Sequence, residues 1–405
     1  MILFTNARLV CPDGGERQGG LLVDGENIVA AGTVAAPADA QVVDCNGKVL
    51  SPSIVDLGVF SIDKAACTAG GIARVALMPD QAPILDDPGI IRRAALLGKP
   101  ELWVHPLAAA TQGLGGTELA EMAINASAGA MAVATGRRRI ADSGVMRRVL
   151  AYAADLGLTV VAHAEDEGLA GHAVATEGET ATRLGLPAAP SCAEALAVAR
   201  DLMLVEETGA CLHFRQLTTA AAFDLVRAAK ARGLPVTCGI TPAHLMLADT
   251  DVSDFRTFAR LSPPLRAEAD IQAALAALAD GTIDVLASGD DPRRPEQKRL
   301  PFVDAAPGMA GAETLLALAL GFVRDERLTL ERLFALLARN PSRILRLPGG
   351  TLTPGAPADL VLFDPGAPWQ VRGEAMIARG GNTPFDGLPV QGKVAGLWKG
   401  GKRIG

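Results

Sequence analysis

The chain has 405 residues, of which 49 % are apolar and 20 % charged, and its formal net charge is −7. That length fits one large domain or two ordinary ones, and the apolar share supplies a large core and excludes global disorder. The acidic balance argues against a nucleic-acid partner, which needs a basic face; the only basic cluster, Arg137-Arg138-Arg139, is short and is expected to be a solvated loop.

The start, MILFTNARLV, meets a polar residue at position 5, too soon for the apolar region of a signal peptide. No apolar run reaches the roughly 18 residues of a membrane span, so no membrane association is expected. Six cysteines, at 11, 45, 67, 192, 211 and 238, contain no CxxC pair. They read as free thiols of a reducing compartment, and the expected location is cytoplasmic.

Residues 1 to about 50 alternate apolar and polar in "ILFTNARLV", "GGLLVDGENIVAAG" and "QVVDCNGKVL", interrupted by Asp-Gly and Asn-Gly turns. These predict short strands and hairpins. The middle of the chain repeats a different unit, a short apolar run followed by an Ala/Leu-rich helical stretch. Eight runs fit: "SIVDLGV", "IARVALM", "LWVHPLA", "AMAVAT", "LTVVAHA", "ACLHFRQ", "LPVTCGI" and "IDVLASG". The last zone, with "GTLTPGAPADLVLFDP" and "GKVAGLWKGGKRIG", resembles the first. The expected fold is α/β: a (β/α)8 TIM-like barrel over 51–348, with a small β-sandwich domain formed by both chain ends, 1–50 plus 349–405. The first βα unit leaves almost no active-site loop, because a crossover needs at least about 10 to 12 residues.

On such a barrel, chemistry sits at the strand C-termini. The five histidines, 105, 163, 172, 213 and 244, form no HxH or HExxH pair. His163 closes "LTVVAHAED" and is either a metal ligand or a hydrogen-bonded pocket residue. His213 reads as a buried, satisfied histidine and His105 as structural. His172 and His244 are expected to do nothing chemical. Asp290-Asp291, after the last strand, could act as a general base or bind a hard cation, or could form a turn ahead of Pro292. Glu165 and Asp166 read as pocket residues or as helix N-terminal charge. No phosphate loop and no GxSxG elbow occur.

Collinear stretches along the chain, among them "SPSIVDLGVF", "ALMPDQAPILDDP", "VVAHAEDEGLAG", "LHFRQLTT", "DVLASGDDPRRPEQK" and "AAPGMAGAETLLAL", make it resemble the dihydroorotases of the amidohydrolase superfamily. The resemblance implies a metal-dependent cyclic amidohydrolase converting dihydroorotate and N-carbamoyl-aspartate. It also implies a first strand ending in HxHxR, where this chain has Gly58, Phe60 and Ile62. The family's bridging acid falls at about Thr135 or Gly136, and its "HAED" histidine is His163. Its HxxH strand reads His213 and Gln216. Its ligand and general-base Asp aligns with Gly289, its substrate-contacting His with Arg293, and its substrate-contacting Asn with Asp80.

With most ligand positions changed, the chain resembles the degenerate, non-catalytic homologues that associate with aspartate carbamoyltransferase. That reading expects no cofactor, a homo-oligomer, and a structural role in pyrimidine biosynthesis. If the protein is active instead, zinc is expected, with His163 as its best ligand and Asp290 as the best catalytic candidate. A third expectation is a small anionic ligand held near Arg266 and Arg293.

Overall fold

The computed structural model describes residues 1–404. Eight parallel strands in sequential order form the central sheet: Ile54–Val59, Ile72–Leu77, Trp103–Ala109, Ala132–Ala134, Val160–Ala162, Leu212–Phe214, Val236–Ile240 and Val285–Leu286. They lie where the eight apolar runs place them. All six residues of the first strand and all six of the second are buried, as expected where helices cover one face and the barrel interior the other.

The first and eighth strands are joined by one side chain, Asp56, and by one backbone hydrogen bond. Asp56 accepts from the Ser288 backbone N–H at 2.9 Å and from the Ser288 hydroxyl at 2.5 Å, and the Phe60 N–H donates to the Asp290 carbonyl at 3.1 Å. The barrel is thus nearly closed, the expected (β/α)8 architecture.

The surrounding helices show why the sequence wraps them outside. Helix Cys192–Thr208 buries Ala193, Ala197, Val198, Leu202 and Val205, successive spacings of four, one, four and three residues that make one apolar stripe. The first crossover is as short as its sequence requires. Only residues 60–63 separate the first strand from helix Lys64–Ala69, which Asp63 caps by accepting from the Ala66 N–H.

Both chain ends meet in one further eight-stranded sheet. Ile2–Cys11 pairs with Gly15–Asp24 and Val49–Pro52, and Val49–Pro52 pairs in turn with Leu360–Gln370. Its own core includes Phe4, Leu9, Leu21, Leu50, Leu360 and Trp398, with Phe4 and Trp398 in edge-to-face contact at 4.8 Å between ring centroids. No helix among the described residues is long and apolar enough to cross a membrane.

Candidate functional site

The mouth of the barrel, at the strand C-termini, holds a cavity of about 210 Å³. Phe60 from the first strand end, Arg137 from the fourth, Arg215 and Gln216 from the sixth, and Thr241 and His244 from the seventh line it. Gly289 and Asp291 complete it from the eighth.

Phe60 is the floor of a cationic stack. The Arg137 guanidinium lies 3.7 Å from its ring centroid and that of Arg215 5.0 Å away. Arg137 also makes a two-pronged ion pair with Asp291, at 2.5 and 2.9 Å. Arg293 reaches the same carboxylate at 2.5 Å and the Pro307 carbonyl at 2.7 Å. Burial, together with the neighbouring Arg137, pulls the Arg215 pKa down to about 10.

The glycines explain the arrangement. Gly58 sits at a register shift in the first strand with φ of +97°, and a β-carbon there would lie 3.0 and 3.1 Å from the Arg215 stem. Gly289 has φ of +66°, and a β-carbon would lie 2.9 Å from Thr241 and 3.1 Å from Met309. Neither position has room for a metal-binding side chain as the neighbours stand.

His163 lies in an adjoining cavity with Glu165 and His172. Its Nε2 is 3.5 Å from the Glu165 carboxylate and its Nδ1 has no partner. Burial pushes Glu165 up, but the His163 hydrogen bond and charge hold it below its ordinary value. His213 faces Thr237 at 2.9 Å, and burial depresses its pKa to about 3. Asp290 is buried behind the mouth and accepts from the Gly311 and Ala312 N–H groups at 2.9 and 3.1 Å; burial raises it to about 7. Asp80 accepts from the Arg137 N–H at 2.9 Å, and Ile62 packs against the main core.

Several expectations change here. Arg137-Arg138-Arg139 is not one solvated loop: Arg137 enters the mouth and Arg139 pairs with Asp166 at 2.6 Å, while only Arg138 is strongly exposed. His244 is a buried pocket residue, bonded to Thr241 and Gln216 at 2.8 Å and to the Pro263 carbonyl at 3.0 Å. Arg266 is buried against Glu194 and Thr218, and Arg293 is paired with Asp291, so neither is the free cation of the mouth. Among the described residues, Arg215 is a buried arginine that lines the mouth with no ion pair of its own. It lies between His213 and Gln216 in the sequence, where no local pattern marks it as a pocket residue.

The amidohydrolase family pattern matches residues 118–404. Among curated relatives, the dihydroorotase of Syntrophotalea carbinolica is 37 % identical over 410 residues, covering 97 % of this chain and 96 % of its own. A dihydroorotase-like protein of Pseudomonas aeruginosa is 38 % identical over 411 residues, with coverage of 97 % and 96 %. Among solved structures, the L-hydantoinase of Arthrobacter aurescens superposes with a TM-score of 0.88 at 22 % identity, covering 100 % of this chain and 95 % of its own, a likeness of fold.

These findings correct the expectation of no cofactor: amidohydrolase, dihydroorotase and hydantoinase homologues normally bind zinc, so zinc is the cofactor that this fold implies. The side chains at the barrel mouth do not fit it. Gly58 and Gly289 offer no donor, Phe60 is apolar, and Gln216 is a neutral amide engaged with His244. Two guanidiniums lie over the Phe60 ring, and their positive charge disfavours a metal ion beside it. Among the described residues, no three His, Cys, Asp or Glu side chains cluster as a metal site.

Proposed function

This chain belongs to the amidohydrolase family, and on that footing we propose that it is a dihydroorotase homologue of pyrimidine biosynthesis that works by binding rather than hydrolysis, as a structural subunit with aspartate carbamoyltransferase. The observation that carries the non-hydrolytic reading is the exchange at the mouth, where Gly58 has no side chain and Arg215 fills the space beside it. Zinc-activated water needs His or carboxylate ligands around an open position, and like charge at short range disfavours the ion. The partner is supported by the resemblance to degenerate homologues alone. Purified protein is expected to turn over dihydroorotate at least about 10⁴-fold more slowly than an active homologue. Mixed with the aspartate carbamoyltransferase of its own organism, it is expected to elute as a joint peak in gel filtration. Two separate peaks at micromolar concentration would sink the partner assignment.

A second reading is favoured by the relatives named dihydroorotase at 36–38 % identity and by the open Nδ1 of buried His163. It makes the chain an active cyclic-amide hydrolase with a rearranged or mononuclear zinc site. Near-stoichiometric zinc by elemental analysis, with turnover that rises on adding zinc, would establish it over the first.

A further inference from the structure

We propose that the cleft between the lower end of the barrel and the chain-end sheet is a binding site for a diphosphate group, free or as the head of a phosphorylated small molecule, with Lys99, Lys399, Lys402 and Arg403 as its cationic frame. The inference goes beyond the reading above and does not rest on it. The cleft lies at the end of the barrel opposite the mouth, since Trp103, on its wall, opens the third barrel strand.

The cleft holds about 520 Å³ and is framed by separate parts of the chain. Lys99 comes from the loop that leads into the strand Trp103–Ala109, and Lys399, Lys402 and Arg403 flank the turn between the strands Pro389–Lys399 and Lys402–Ile404. Lys399 is fixed in place: its ammonium lies 4.1 Å from the Trp103 ring centroid and donates to the Pro100 carbonyl at 2.5 Å. Burial lowers its pKa, Asp359 opposes the fall and Lys99 adds to it. Lys402 and Arg403 lie on the last strand of the sheet, where charge discourages pairing with another chain. That role accounts for those two but not for Lys99 and Lys399, which converge on the same cleft from other elements.

The charge balance sets the ligand class. Four cations line the cleft against two carboxylates, Glu26 and Glu101, in a chain whose net charge is −7. Glu101 is already held by Lys64 at 2.9 Å, so with Lys64 counted the surplus is three positive charges. The Arg74–Asp359 pair beside Trp103 is balanced and adds nothing. Among the described residues, which end at Ile404, none of the four cations forms an ion pair. One phosphate brings roughly two negative charges, and a diphosphate brings more in a small volume. Ammoniums meet phosphate as point charges, and the Arg403 fork can meet two of its oxygens at once. Trp103 and Ile404 add apolar wall for an organic body. The occupant bridges the two layers, because Gly400 and the Trp103 indole, both on the cleft wall, donate to the same Asp359 carboxylate oxygen.

The test is calorimetric titration of the purified full-length protein at low ionic strength with inorganic pyrophosphate, adenosine diphosphate, inorganic phosphate and citrate. Pyrophosphate and adenosine diphosphate are expected to bind at least about tenfold more tightly than phosphate, the weight of one further charged hydrogen bond. The tighter of those two identifies the source, the free ion or an organic diphosphate. Lys402→Ala and Arg403→Ala are each expected to lose about two- to fivefold in affinity and the double variant about tenfold, as fits exposed charges. Both side chains are exposed, so the unliganded variants are expected to melt with the unmodified protein. Lys99→Ala, on the barrel side, is a second reading that leaves the sheet untouched. Arg138→Ala at the mouth is expected to leave the affinity unchanged. No diphosphate binding at millimolar concentration, citrate binding as tightly as pyrophosphate, or unchanged affinity in both the double variant and Lys99→Ala would overturn the proposal. So would a loss in Arg138→Ala as large as in the double variant, which would move the binding to the mouth. A positive hydrolase assay or a negative gel-filtration result leaves it standing.

Discussion

Gly58 and Arg215 occupy one space between them, and this is the clearest single-residue feature of the molecule. Adding a β-carbon at Gly58 meets two penalties, a left-handed φ of +97° and contact with the Arg215 stem at 3.0 Å. Gly58→Ala is expected to cost about 2–4 kcal/mol in urea denaturation, roughly 1–2 from the backbone and the rest from crowding. In an Arg215→Ala background the crowding disappears, and only the backbone penalty should remain. Equal costs in both backgrounds would show that the two residues are not coupled. Buried histidines give a second prediction at this scale. Burial depresses His213 to about 3 and His244 to about 4, while the unfolded chain protonates near 6.5. The unfolded state therefore takes up protons that the native state refuses, so their contribution is present above about pH 6.5 and is lost as pH falls toward 4. Asp290, raised to about 7, acts in the opposite sense, because the native state keeps a proton between about pH 4 and 7 that unfolded Asp releases. With His105, which burial also depresses to about 3, three histidines outweigh this aspartate, and stability is expected to fall as pH drops below 6. Urea midpoints measured from pH 7 to 4 check this, and His213→Gln should flatten the slope.

Elements were more legible in the sequence than sites. Eight apolar runs marked eight strands because strands buried on both faces are almost continuously apolar, a signal that no single residue can blur. The strand ends are legible only where the resemblance assigns a residue type: Phe60 and Gln216 stand out as replacements for ligands, whereas Arg215 and His244 do not. Arg137 was hidden for a different reason. Its neighbours Arg138 and Arg139 make a basic run, and charge runs are usually solvated, but here Asp291 on the eighth strand end draws Arg137 inward. Nothing local announces a pairing across 154 residues. Barrel closure was equally silent, since it rests on one buried carboxylate and one backbone hydrogen bond, from Phe60 to Asp290. Asp56 is 1 % exposed, burial raises its pKa, and both of its oxygens accept from Ser288. The Ser288 hydroxyl also accepts from the Asp290 N–H at 2.9 Å. Ser288→Ala leaves an Asp56 oxygen and the Asp290 N–H unsatisfied and is expected to cost about 1–3 kcal/mol. A denaturation midpoint equal to that of the unmodified protein would place barrel closure elsewhere.

At the scale of the whole molecule, the two sheets are fastened by a carboxylate that belongs to neither core. Asp359 precedes the strand Leu360–Gln370 of the chain-end sheet. One of its oxygens meets Arg74 of the second barrel strand, at 2.7 Å from Nε and 2.6 Å from Nη2. The other accepts from the Trp103 indole at 3.2 Å and from the Gly400 N–H at 2.7 Å. His105 stands 3.3 Å from the same arginine, and burial followed by the Arg74 charge lowers its pKa to about 3, so His105 adds no charge to the cluster at neutral pH. Arg74 and Asp359 are each 7 % exposed. Removing one partner of such a pair strands a buried charge at a typical cost of about 3–5 kcal/mol. Asp359→Ala is therefore expected to lose that much. Because the lost contacts join barrel to sheet, the change should also separate a single unfolding transition into two. Differential scanning calorimetry reads both effects. Two resolved peaks, the lower abolished by trimming strands from Leu360 onward, would show that the chain ends unfold as a unit of their own once the pair is broken. A single peak merely shifted downward would mean that apolar packing between the layers, through residues such as Val361 and Phe363 that lie in the barrel core cluster, couples them without the ion pair.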